Sequence, residues 1–180
     1  MNDVFDYRIH IEQFSHLLTW LTLLCLIGSV FLFFAMSKIR RFFLTNTGAS
    51  FSLFQIQLPV SHKAFTTLLG HVSPKTKDTV RLHQRLDRYF MTFLYPCLFF
   101  GGWYVLHLRQ VYKNDAYAYD LLWMPALIWL MNYLQNQLVL RCLRSPTVSN
   151  SRLLLIFSLI QWLFLVSYLV VVLLVLTRAL

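Results

Sequence analysis

Carboxylates are scarce in this chain of 180 residues, with seven Asp and Glu set against sixteen Lys and Arg. No acid, lysine or arginine lies deep in any of its long apolar runs. That absence speaks against a proton- or sodium-coupled transporter, which uses an ionisable relay within the membrane. It also speaks against an intramembrane hydrolase built on carboxylates, and neither His-Glu-x-x-His nor Gly-x-Ser-x-Gly occurs. There is no Cys-x-x-Cys and no phosphate-binding loop. The three cysteines, Cys25, Cys97 and Cys142, give no disulfide framework, because two fall in apolar runs and the third at the edge of one. Cys142, close to Arg141 and Arg144, reads as a buried thiol or as a palmitoylation site. The chain reads as non-enzymatic, and nothing in it calls for a cofactor.

What is abundant is apolar surface. At 58% hydrophobic residues and a mean hydropathy of +0.58, the composition exceeds that of a soluble domain. The excess falls into four blocks, at about 17–36, 89–108, 121–140 and 153–177. Each matches the roughly 20 residues needed to cross a hydrocarbon core about 30 Å thick. The first block is not a signal peptide: its leader carries Asp3, Asp6 and Glu12 against Arg8 alone, and Lys38, Arg40 and Arg41 follow it. The expectation is an all-α integral membrane protein with four transmembrane helices in one domain.

Charge orients it. The segment 37–88 and the short link after 140 hold twelve of the sixteen basic residues, and the opposite side holds five of the seven acids. The bias puts both termini outside (N-out/C-out) and the long 37–88 loop in the cytoplasm or its topological equivalent. A bacterial inner membrane and an organellar or endomembrane equivalent fit equally well. The net charge of +9 is thus a topology signal, and no recognition motif links it to nucleic acid.

The loop is too long to be a plain connection. The alternation in FSLFQIQLP suggests a short extended segment ended by Pro59. Ser61 can N-cap a helix HKAFTTLL closed by Gly70, whose face of Phe65, Leu68 and Leu69 would meet lipid or a partner. Ser73 and Pro74 then open a helix that meets no breaker before the second span, so the last part of the loop is a helical extension of that span. Its cations Arg81, Arg85 and Arg88, with Arg40 and Arg41, form a candidate surface for docking or for anionic lipid headgroups.

The third block, LLWMPALIWLMNYLQNQLVL, carries four amides. Asn132, Gln135 and Asn136 share one helical face and Gln137 points away. An unpaired amide facing hydrocarbon costs several kcal/mol, so that face should meet protein or a wet cavity, with Gln161 of the fourth block as one partner. His16 and His107 fall at one depth near the outer ends of their spans, which is a weak pointer to haem or metal. His62, His71 and His83 show no metal spacing.

Three functional classes follow. The favoured one is a non-catalytic multi-pass subunit or accessory/assembly factor of a larger membrane protein complex, in contact with lipid and other membrane subunits. The alternatives are a small homo-oligomeric channel or carrier, and a haem- or quinone-associated redox subunit using His16 and His107.

Overall fold

A computed structural model describes residues 2–109 and 116–177, with side chains described for 16–106 and 122–177. Six helices follow in order: α1 (Asn2–Arg40), α2 (Leu53–Gln57), α3 (His62–His71), α4 (Pro74–Arg109), α5 (Ala116–Arg144) and α6 (Val148–Thr177). Segments His16–Arg40, Pro74–Leu106 and Val148–Thr177 are long and apolar enough to cross a membrane. The protein is therefore an all-α, integral, multi-pass membrane protein. The amide-bearing α5 falls below the hydropathy that the other three reach, because Asn132, Gln135, Asn136 and Gln137 offset its leucines.

The four long helices pack in the order α1, α4, α5, α6, with α6 also touching α4. The α1–α4 seam is close because small residues line it. A Cβ built on Gly28 would fall 2.6 Å from the Phe93 ring, and Cys97 Sγ lies 3.7 Å from the Thr22 carbonyl. Small residues let helix backbones approach where lipid supplies no hydrophobic drive to association. On the other side of the body, the Tyr168 hydroxyl of α6 donates to the Leu98 carbonyl of α4.

Thr76 accepts the cap expected at the start of α4: its N–H donates to Ser73 Oγ at 3.1 Å, and Pro74 takes the first helical position. From there α4 runs unbroken for 36 residues, passing Pro96 within the apolar segment. The stretch 53–57, expected to be extended, is instead a helical turn, with Ser52 N–H donating to Gln55 Oε1 at 3.1 Å. The local backbone satisfies itself there because no strand lies beside it to pair with. Leu53 and Ile56, three apart, are the buried pair.

Ser61 does cap α3, but the helix passes through Gly70 to His71 and ends at an extended Val72. Gly70 is not in the left-handed region, so it does not terminate anything; Gly48, at φ 81°, is the residue that uses glycine's freedom, in the turn at 45–49. The face expected to meet lipid or a partner is covered by the chain itself. Phe65 and Leu69 are 3% exposed in a core shared with Phe43, Ile56, Val80, Val139 and Leu154. The link 41–73 thus folds beneath the ends of α4, α5 and α6 as a cap. Ser158 Oγ holds it from α6 by donating to the Gln57 carbonyl at 2.6 Å, and Phe54 stacks on Trp162.

Substituting Gly28 by Val should push the Phe93 ring aside and destabilise the helix pair by about 1–3 kcal/mol. Gly70→Ala, with nothing within 4 Å, should stabilise by about 0.5–1 kcal/mol. Thermal loss of circular dichroism in mild detergent checks both.

Candidate functional site

Polar side chains gather in one layer between α4 and α5, just inside the cap. Between Pro74 and Phe100 of α4 the buried positions are Thr76, Val80, His83, Gln84, Asp87, Met91 and Tyr95, mostly three or four residues apart. The face that packs inward is thus largely the polar one. Leu82 is 49% exposed.

Asn132, Gln135 and Asn136 of α5 meet that stripe and are at most 3% exposed. Asn136 Nδ2 is the central donor. It reaches Asp87 Oδ2 at 2.6 Å across the helix interface and Asn132 Oδ1 at 2.9 Å along its own helix. Charge-assisted bonds of this kind are short and about twice as strong as neutral ones. The Tyr95 hydroxyl has Gln161 of α6 and Asn132 as its hydrogen-bonding neighbours. Gln161 itself is buried. At the lower edge Arg40 Nε donates to His83 Nε2 at 3.2 Å, which ties the end of α1 to α4.

The amides are placed so that the outward face of α5 is apolar or aromatic: Trp123, Leu127, Trp129, Leu130 and Tyr133 are its exposed large residues. Average hydropathy cannot see this division, because it sums the inward and outward faces.

Several buried polar atoms in this layer have no hydrogen-bond partner among the described residues: His83 Nδ1, both side-chain polar atoms of Gln84, Arg88 Nε, Gln135 Nε2, Asn136 Oδ1 and Gln161 Oε1. Buried polar groups are almost always satisfied, so this concentration marks a functional or hydrated layer. A cavity of about 170 Å³ opens into it, lined by Arg88, Asn132, Tyr133 and Asn136. Met91, Thr92 and Trp129 form a shared wall with a second cavity of about 460 Å³ further along the same two helices. That one is apolar, bounded by Tyr95, Phe99, Phe100 and Ala126, and by the rings of Pro96 and Pro125.

The cations differ in surroundings. Arg41 and Arg85 are exposed, and Arg81 pairs with Asp78 at 2.6 Å on the surface. Arg40 also lies 6.0 Å from the Phe33 ring centroid. Arg88 is half-buried and has no carboxylate within ion-pair distance among the described residues. His16 is exposed on α1, and the His107 side chain lies outside the described residues. No group of three His, Cys, Asp or Glu suited to a metal occurs among the described residues. Cys142 is fully buried, and burial pushes its thiol up to about 11, so at neutral pH it is a protonated core group.

Sequence reasoning passed over Asp87, Gln84 and Tyr95, and weighed His83 only as a metal ligand. The usable signal was their spacing at 83, 84, 87 and 95, which aligns a polar face of α4 with the amide face of α5. Comparison with protein-family models, curated proteins and solved structures gives no match, so function rests on this geometry.

Replacing Asn136 by Leu strands the Asp87 carboxylate and should cost about 1.5–3 kcal/mol of stability. Adding Asp87→Leu should restore most of it, since two apolar groups leave nothing unsatisfied. A double-mutant cycle in denaturing detergent measures the coupling.

Proposed function

We propose that the chain is a non-catalytic multi-pass subunit or accessory factor of a larger membrane complex, threaded four times with both termini outside. The observation that carries this reading is the uneven cover of α1. It packs on α4 and makes no comparable contact with α5 or α6. Its far side presents Trp20, Leu24, Ile27, Phe31 and Phe34, each 60–72% exposed and spaced three or four apart. A helix held by one neighbour only leaves most of its circumference open to lipid or to a helix of another subunit.

The inward turn of the α5 amides supports α5 as the fourth crossing, because what remains outside is suited to lipid. The charge bias supports the cap on the cytoplasmic side. A channel or carrier through a single copy is disfavoured because the polar stripe of α4 stops at Tyr95, and beyond it α4, α5 and α6 meet through Leu98, Val105, Leu106, Ile128, Tyr168 and Val175.

Cysteines introduced at both termini should react with a membrane-impermeant maleimide from the outer side, and one at Thr47 from the inner side only. Termini labelled from opposite sides would refute the four-span threading. In mild detergent, native mass should show the chain with a second polypeptide at fixed stoichiometry. Ile27→Ala with Phe31→Ala should lower the occupancy of that complex roughly tenfold, the effect of losing about 1.4 kcal/mol at one interface. A monodisperse single chain would overturn the reading.

A further inference from the structure

Two cavities that share a wall, one with a cation and amides in its lining and one almost wholly apolar, have the division of an amphiphile. We infer that the α4–α5 groove binds one membrane lipid with an anionic, hydroxyl-bearing phosphodiester headgroup. The headgroup sits at Arg88 and Asn136, and one chain lies along Pro96, Phe99 and Ala126.

Charge complementarity names the occupant. Arg88 lines the 170 Å³ cavity with no carboxylate in ion-pair distance among the described residues, and its Nε is buried without a partner. Guanidinium is the group that matches phosphate in both shape and charge. The neighbouring carboxylate does not cancel it, because Asp87 is turned to Asn136 and is not part of the cavity lining. Asn136 is 1% exposed and commits its N–H to Asp87 and Asn132, leaving Oδ1 as an unpartnered acceptor in the same cavity. A phosphate oxygen cannot satisfy that atom. A hydroxyl can, which favours a glycerol- or polyol-type headgroup over a bare phosphate.

The chain end is equally constrained. From Arg88 to Phe100 is twelve residues of helix, about 18 Å at the standard rise. That is close to the hydrocarbon depth of one leaflet, half of about 30 Å. The 460 Å³ cavity is open towards where acyl chains lie, and its walls are aliphatic and aromatic. Prolines on both helices line the groove: Pro96 removes the donor for the Thr92 carbonyl and Pro125 the donor for Leu121. The proposal does not depend on the partner complex.

The test uses the full chain in mild detergent, with native mass titrations of phosphatidylglycerol, phosphatidylcholine and inorganic phosphate. Phosphatidylglycerol should bind one per chain, at least tenfold tighter than phosphatidylcholine. Inorganic phosphate at millimolar concentration should not displace it. Arg88→Gln should erase the preference, lowering phosphatidylglycerol affinity roughly tenfold or more, the worth of one charge-assisted contact. Ala126→Trp should fill the chain end and weaken both lipids alike. Lys75→Gln, exposed at the start of the same helix, should change nothing. A thermal melt of each variant separates lost binding from lost folding. Equal affinity for the two lipids, displacement by phosphate alone, or full retention by folded Arg88→Gln would each overturn the assignment.

Discussion

A hydrogen bond from a carboxamide to a carboxylate, in a place where water is scarce, is the interaction on which this structure turns. Asn136 and Asp87 lie on different helices, are both buried, and meet at 2.6 Å. Neither group is tolerable there alone, because desolvation without a partner costs more than the bond returns in water. Their pairing therefore sets the register of α4 against α5. With that register set, Asn132 and Gln135 also turn inward, and the large side chains that α5 exposes are leucines and aromatics. A segment that looks too polar for a membrane becomes compatible with one through its neighbour.

The rest of the body is arranged by depth around that layer. Beyond it, α4, α5 and α6 pack through apolar side chains, with the Tyr168 hydroxyl bonded back to a backbone carbonyl. Below it, the 41–73 link closes the helix ends with a core of its own, so the connection that reads as a loop is a packed cap. Arg40 and His83 stitch the base of α1 to this layer. Along the membrane, α1 packs on α4 through the close approach at Gly28 and Phe93 and the Cys97 thiol at the Thr22 carbonyl. The helix with the fewest internal obligations is also the one that presents the broadest aromatic stripe. The groove follows from the same arrangement: it runs between α4 and α5 past Pro96, Pro125 and Ala126, and the polar side chains supply its head.

Membrane residence, helical class and the long α4 were legible in the residues, because each rests on local rules. Twenty apolar residues without charge have one stable solution in a bilayer, and a Ser-Pro start with no breaker after it runs on as helix. The burial demand on Asn132, Gln135 and Asn136 was also local, since it needs only the wheel of one helix. Where local reading failed, the competing term was tertiary. The alternating pattern at 53–57 suggested extension, yet one helical turn on α6 satisfied both its backbone and its apolar pair. Gly70 carried the composition of a helix end without the conformation of one. On α4 the candidate surface of Arg81, Arg85 and Arg88 drew attention away from His83, Gln84 and Asp87, the side chains that the fold encloses.

By itself, then, the order of amino acids determined that the chain lives in a membrane as helices, and that one of them must hide a strip of amides. It did not determine what those amides would meet. A one-dimensional pattern records which groups need partners, but a partner is a matter of which helices become neighbours and at what height. Only the packed structure brought an acid from one helix, a cation left unmatched and an apolar groove to the same place. That juxtaposition costs nothing in any local rule and is visible in none.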